Sequence, residues 1–257
     1  MLIAVRPFSV LQGMRDPKLA AAILRKVGGS AQGGADLLDA GDPKGAIRLL
    51  LAVDPSELSE LTPKVAAAAA AAGLGTAGVE ALATVAGNYP GDAGVLVAVL
   101  MDQRVLAEGD AVYVPAGVVH AYVSGTGVEV MTASDNVLRL GLTPKTIAVD
   151  EALDALDPSL TPQPMSGEPT PLPSGGTHRH YAPAGAPFIV DWIGDGSFTA
   201  IAGDYRLVLA VSSSVTVATG GTEIVLSQGQ AAAVLADEGD VLVTTTGAAV
   251  IARSAAQ

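Results

Sequence analysis

Three side chains that could do chemistry follow one another between positions 115 and 145. His120 comes after a Pro-Ala-Gly turn, which re-aims the next strand so that one imidazole can point into a barrel and ligate a divalent metal. Arg139 stays protonated at any working pH, and Lys145 could bind a phosphate dianion. In isolation a strand histidine is more often a core residue, and the two cations are more often solvated charges. The turn before His120 favours the metal ligand.

Short strands must position these residues. The apolar run Val95–Val105 predicts a buried strand, and Ala111–Val114 predicts a second one after a Glu-Gly-Asp turn. His120–Val123 and Val128–Met131 predict two more, separated by a Ser-Gly-Thr-Gly turn. Turns recur at intervals of about eight to ten residues, which favours an antiparallel sandwich or barrel over a parallel α/β sheet.

The segment 89–145 resembles the type I mannose-6-phosphate isomerases, which belong to the cupin superfamily. The resemblance rests on PAGVVHAY at 115–122, GVEVM at 127–131, SDNVLR at 134–139 and GLTPK at 141–145. These elements stand in the family's order and almost without gaps. The resemblance implies a zinc-dependent aldose-ketose isomerase that interconverts mannose 6-phosphate and fructose 6-phosphate.

The same resemblance implies roles for five residues. His120 would be a zinc ligand and Arg139 the catalytic arginine. Lys145 would help to bind the sugar phosphate, while Glu129 and Asp135 would line the pocket. This chemistry suits the reaction, because moving a carbonyl between C1 and C2 needs a proton shuttle and a cation that stabilises the enediolate.

The beginning of the chain departs from the family pattern. In the family, a stretch similar to Met1–Arg15 directly follows a Lys-Pro-Glu element whose glutamate ligates zinc. That glutamate and a Gln-x-His pair would lie upstream of Met1, so three of the four expected metal ligands have no counterpart. We therefore expect either a fragment of an isomerase or a natural shortened relative.

Two other functions stay open at this point. The chain could be a non-catalytic cupin-like protein that binds a sugar phosphate through Arg139 and Lys145 without the metal. It could also be a module that needs a partner or self-association, with Met1–Val5 as an unpaired edge strand.

The expected fold is mainly β with a helical insertion, comprising a cupin-like β-barrel or jelly roll and a second, degenerate cupin-like β domain. Asp-Pro pairs at 16–17, 42–43 and 54–55 predict helix starts. The expected divisions are strands of the first barrel at 1–15, a helical domain at 16–87, the barrel half with the His and Arg motifs at 88–157, a Pro-rich linker at 158–181 and a C-terminal β domain at 182–257.

A second histidine pair lies at His178 and His180. On a strand, residues i and i+2 point to the same face and could bind one metal ion. The pair follows the Pro-rich segment and lacks a glutamate at cupin spacing, since Glu223 and Glu238 are the only later ones. We therefore expect surface or domain-junction histidines here.

Composition limits the partners. The formal net charge of -12 and a pI near 4.5 argue against nucleic acid and anionic membranes as partners. A small-molecule sugar phosphate remains compatible, because a local cationic pocket can outweigh the global field. The chain has no cysteine, so a metal must be bound by histidine and carboxylate. The sequence contains no long apolar run and no secretory leader pattern, which predicts a cytoplasmic protein.

Overall fold

The computed structural model describes residues 1–134, 137–203 and 205–255. The helices are α1 (Pro17–Val27), α2 (Ala31–Asp39), α3 (Pro43–Leu51), α4 (Pro55–Leu61), α5 (Val65–Ala71), α6 (Thr76–Asn88), α7 (Gly94–Ala98) and α8 (Val149–Ala155), with a 3₁₀ turn at Thr62–Lys64. The strands are β1 (Leu2–Ala4), β2 (Phe8–Met14), β3 (Met101–Leu106), β4 (Ala111–Tyr113), β5 (His120–Ser124), β6 (Gly127–Glu129), β7 (Gln163–Met165), β8 (Thr170–Pro171), β9 (Thr177–Tyr181), β10 (Phe188–Ala200), β11 (Arg206–Ser212), β12 (Val215–Ala218), β13 (Glu223–Leu226), β14 (Ala231–Val234) and β15 (Val241–Ser254).

Three helices begin at the Asp-Pro pairs that predict helix starts. The carboxylates of Asp16, Asp42 and Asp54 accept hydrogen bonds from backbone N–H groups at 2.9, 2.8 and 2.8 Å. Each following proline has no N–H to leave unpaired and has a φ already suited to a helix. Helices α1 to α6 bury their apolar faces in one large cluster. Even α6, the longest described helix, has only 13 residues, so none of the described helices could cross a membrane.

Two small sheets face each other beside these helices. The first sheet has the strand order β3-β2-β5, and the second has the order β6-β1-β4-β7. Leu11, Ala121 and Val123 of the first sheet pack against the helices. The opposite face of the first sheet buries Phe8 and Val10 against residues of the second sheet. Residues of β2 and β5 alternate between these two environments, as the two-residue period of a strand requires.

Strand β1 lies inside the second sheet. It pairs antiparallel with β4 on one side and with β6 on the other, and Leu2–Ala4 is buried. The expectation that Met1–Val5 is an unpaired edge strand is therefore wrong. The reason is the register: Leu2 lies opposite both Val112 and Glu129, so both edges of β1 already have partners.

The third sheet contains eight strands built around the long antiparallel pair β10 and β15. A bulge between Gly194 and Gly196 bends this pair, and the other edge of β15 pairs first with β12 and then with β11. One face of β10 carries Val190 and Trp192 against the second sheet, while Ile193 belongs to a separate core on the other face.

The expected fold class needs correction. The chain is a mixed helix and sheet protein, with 28% helix and 33% strand, rather than mainly β, and no closed barrel occurs in the described part. Strands β3 and β5 end the first sheet, and β6 and β7 end the second, so the two sheets face each other without joining at their edges.

Two local predictions also differ from the structure. The first four residues of the predicted strand Val95–Val105 belong to helix α7, and the strand itself is Met101–Leu106. A short run that is apolar on every side suits a buried helix as well as a buried strand, so periodicity could not separate them. The residues expected to form a linker at 158–181 contribute strands as well, since β7 pairs with β4 and β9 pairs with β10.

Candidate functional site

A cavity of about 770 Å³ lies beside β5. His120 and Arg139 both line it, together with residues of α7 and α8. Tyr122, on the same strand as His120, lines it too, and its hydroxyl contacts Glu129. The structure thus brings His120 and Arg139 to one cavity, with Glu129 connected to it through Tyr122.

His120 begins β5 and lies opposite Gln12 of β2. Its Nδ1 is 3.1 Å from the carbonyl oxygen of Val118. A carbonyl only accepts hydrogen bonds, so Nδ1 carries the proton and Nε2 keeps the lone pair that could ligate a metal. The imidazole is exposed, whereas Gln12 is buried and its Oε1 has no hydrogen-bond partner among the described residues.

Tyr122 joins the first sheet to the second. Its hydroxyl donates to Glu129 Oε1 at 2.6 Å, and its ring meets Phe8 edge-on at 5.5 Å. Burial and the neighbouring carboxylate both raise the pKa of Tyr122 above its usual range, because each disfavours a phenolate. Tyr122 therefore stays a hydrogen-bond donor at any pH near neutral. Its ring centroid is 5.8 Å from that of His120, so Tyr122 fixes one wall next to the histidine.

Asp92 positions the segment that carries Arg139. Its Oδ1 accepts from the backbone N–H groups of Gly94 at 2.7 Å and Leu142 at 3.2 Å. Gly94 and Gly141 touch backbone to backbone, since a Cβ on Gly141 would lie 2.6 Å from the Gly94 Cα, and Gly141 has φ +129°. Only glycine fits this crossing, which holds the chain around Arg139 against α7.

Of the other two predicted pocket residues, only Lys145 can be placed. Lys145 is exposed and does not line the cavity, although its backbone N–H donates to Thr143 Oγ1 at 3.1 Å and Thr143 does line it. Asp135 lies outside the described residues, so its predicted role remains a prediction.

The residues around His120 do not complete a zinc site. Among the described residues, His120 belongs to no group of three His, Asp or Glu side chains that could hold a metal ion.

A group of that kind forms elsewhere, where His178 and His180 meet Asp191. His178 Nε2 and His180 Nδ1 each lie 2.8 Å from Asp191 Oδ1, and Arg253 Nε donates to Asp191 Oδ2 at 3.1 Å. Burial opposes ionisation of Asp191, but hydrogen bonds from the two histidines and Arg253 outweigh it and hold the pKa of this carboxyl below its usual range. The carboxylate is therefore ionised and accepts all three bonds.

Of the two histidines, which were expected at the surface or at a domain junction, only His180 is largely exposed. The side chain of His180 is 46% exposed, whereas that of His178 is 18% exposed and stacks on Phe198 at 4.5 Å. Sequence reasoning missed Asp191 because its carboxylate comes from the neighbouring strand β10. Its one signal is a charged residue within the apolar run FIVDWI at 188–193.

Comparisons with known proteins relate the sequence of this chain to one group of enzymes. No protein-family model matches the chain. It is 51% identical over 69 residues to a probable mannose-6-phosphate isomerase of Dictyostelium discoideum, a match over 27% of this chain and 15% of that protein. It is 33% identical over 159 residues to the mannose-6-phosphate isomerase of Bos taurus, over 60% of this chain and 36% of that protein.

The fold agrees with these matches. The crystal structure of Salmonella typhimurium mannose 6-phosphate isomerase with fructose 6-phosphate and zinc superimposes with a TM-score of 0.77 and 22% identity, over 99% of this chain and 66% of that one. In sequence and in fold, the chain is a relative of the type I mannose-6-phosphate isomerases. It spans about two thirds of that solved isomerase, and the matched segments cover 36% or less of the two relatives above.

Proposed function

We propose that this relative of the mannose-6-phosphate isomerases acts on mannose 6-phosphate and fructose 6-phosphate in the cavity beside β5. One observation carries the proposal: His120 and Arg139 line the same cavity. Its volume of about 770 Å³ is within the usual range for small-molecule sites, about 300–1,000 Å³. The relatives' names and the fructose 6-phosphate bound to the Salmonella isomerase suggest the same substrate class.

The proposed role of Arg139 is electrostatic. Isomerisation moves one proton from C2 to C1 and one between the two oxygens, so substrate and product have the same atoms. The intermediate enediolate carries negative charge, and a guanidinium held in a partly enclosed cavity stabilises it. The contacts of Asp92 with Gly94 and Leu142 hold the backbone that presents this guanidinium.

The other predicted residues take supporting roles in this proposal. Glu129 acts through Tyr122, whose hydroxyl it holds at 2.6 Å, and so shapes the wall beside His120. Lys145 lies two residues beyond the lining residue Thr143, where its ammonium could meet a phosphate at the mouth of the cavity. The role of His120 as a zinc ligand requires ligands other than the described residues, so no step of the reaction is assigned to zinc.

A second candidate function follows from that incomplete ligand set. The cavity could bind the sugar phosphate without converting it, since His120 belongs to no group of three potential metal ligands among the described residues and would hold a metal weakly. In that case Arg139 and Lys145 would recognise the phosphate rather than an enediolate.

Two measurements on the full chain with zinc added separate these functions. The first is conversion of mannose 6-phosphate to fructose 6-phosphate, and the second is calorimetric binding of fructose 6-phosphate. Both use Arg139→Ala, with Arg6→Ala as the matched control, because Arg6 is an exposed arginine outside this cavity. Turnover that Arg139→Ala abolishes supports the isomerase. Binding without turnover, weakened by Arg139→Ala alone, supports the second candidate. Absence of both turnover and binding contradicts both.

A further inference from the structure

The third sheet carries a compact group of potential metal ligands far along the chain from His120. The two ring nitrogens of His178 and His180 and one carboxylate oxygen of Asp191 all lie within 4.8 Å of one another. Two imidazoles and a carboxylate form a donor set that zinc uses in proteins. None of the roles proposed for the cavity beside β5 uses these residues.

Strand register explains why the three side chains converge. His178 and His180 are two residues apart on β9 and share a face. In the pairing of β9 with β10, His180 lies opposite Asp191 and His178 lies opposite Ile193. Ile193 belongs to the core of the third sheet, so the group lies on the core-facing side of that sheet. The side chains therefore meet because adjacent antiparallel strands place opposite residues on the same face.

Each ligand is held in place by a neighbour. The side chain of Asp191 is only 1% exposed, and Arg253 fixes it through Oδ2, which leaves Oδ1 directed at the two imidazoles. Stacking on Phe198 fixes the ring of His178, while the half-exposed His180 leaves a route from solvent and room for water as a further ligand. Supporting contacts of this kind orient ligands in known metal sites.

We propose that His178, His180 and Asp191 form a binding site for a divalent transition metal ion, with zinc as the best match to the donor set. In the metal-free chain each imidazole donates one N–H to Asp191 Oδ1. Metal binding replaces these two hydrogen bonds by bonds from His178 Nε2, His180 Nδ1 and Asp191 Oδ1, and each ring proton moves through solvent to the other ring nitrogen. No atom is oxidised or reduced.

The required movement is small. Tetrahedral zinc bonds of about 2.0–2.1 Å place neighbouring ligand atoms about 3.3 Å apart. The nitrogen–oxygen distances are 2.8 Å, so each imidazole moves outward by about 0.5 Å. His180 has the solvent space to do this, since nearly half of its side chain is exposed.

The test is calorimetric titration of the full chain with Zn²⁺ alone, made in a His120→Ala background so that His120 cannot contribute. We expect one bound zinc per chain and a rise in the thermal unfolding midpoint with zinc concentration. His178→Ala and His180→Gln should each weaken zinc binding at least about tenfold and remove the rise in midpoint. Glu223→Gln is the control, because it changes an exposed carboxylate on β13. It should change neither the zinc affinity nor the rise in the unfolding midpoint with zinc.

The variant His180→Gln keeps the test decisive if His178→Ala fails to fold, because a half-exposed side chain tolerates replacement. Absence of zinc binding in the His120→Ala protein overturns the proposal. Zinc binding that persists unchanged in His180→Gln overturns it as well. Neither outcome depends on isomerase activity, so the result stands apart from that of the proposed function.

Discussion

The two histidine sites of this protein differ in what identifies them. His120 lies in a motif that resembles a known family, yet among the described residues it belongs to no group of three potential metal ligands. His178 and His180 match no motif fully, yet the structure surrounds them with a buried carboxylate. A motif in the sequence thus indicates the family. A group of metal ligands can instead depend on which residues two paired strands bring together, and the spacing of residues along the chain does not show that pairing.

The surroundings of the two sites explain this difference. His120 stands on β5, the terminal strand of the first sheet in the described part, and faces an open cavity. Asp191 stands on β10, between β9 and β15, with partners on both sides. A central strand holds its side chains more rigidly than a terminal one, because neighbours on both sides limit their movement. The first site suits a substrate that enters and leaves, and the second suits a fixed ligand.

Replacement of Asp191 should have the largest effect on the stability of the protein. Asp191→Ala leaves Arg253 and two partly buried histidines without their shared acceptor, and we expect it to lower the free energy of unfolding by about 3–5 kcal/mol. His120→Ala should change it by less than about 0.5 kcal/mol, because His120 is exposed. Urea unfolding of both variants checks the contrast. Equal effects would mean that the two sites do not differ in rigidity.

A substitution where the backbones of Gly94 and Gly141 cross should have the next largest effect on stability. Gly141→Ala adds a Cβ 2.6 Å from the Gly94 Cα at φ +129°, so we expect a loss of about 1–3 kcal/mol in stability. The displaced segment carries Arg139, so fructose 6-phosphate binding should weaken too. Gly220→Ala is the matched control, since a Cβ there has no neighbour within 4 Å. Normal stability and binding in Gly141→Ala would show that this contact does not position Arg139.

A smaller effect is expected where Tyr122 bonds to Glu129. Tyr122→Phe removes a hydrogen bond to a carboxylate, but Tyr122 is 39% exposed, so solvent screening reduces its contribution to about 1 kcal/mol. A double-mutant cycle with Glu129→Gln should give a coupling of about 0.5–1 kcal/mol. Urea unfolding measures it. A coupling of zero would mean that this bond does not tie the two sheets together in solution.

The sequence predicted those features that depend on neighbours along the chain. The helix starts at Asp16, Asp42 and Asp54 follow from a carboxylate and a proline side by side, and they are confirmed. The relationship to the isomerases is confirmed as well, because short motifs carry it. Asp191 could not be assigned to the histidine pair, since only the register of β9 on β10 brings them together. Nor could α7 be separated from a strand, because its residues are buried on every side.

The smallest effect concerns Tyr181, which follows His180 on β9 and points to the opposite face. Its hydroxyl donates to the carbonyl of Gly109 at 2.6 Å, and burial raises the pKa of Tyr181 to about 12. A raised pKa stabilises the folded state below the ordinary tyrosine value of about 10, and this contribution is lost as the pH rises through about 12.

Tyrosine absorbance during an alkaline titration should show one step near pH 12 that is missing in Tyr181→Phe. In Tyr122→Phe that step should remain, because Tyr122 belongs to the first sheet. If Tyr181 instead titrates near pH 10, β9 is not held against the second sheet, and the rigidity argued for the His178 and His180 site fails.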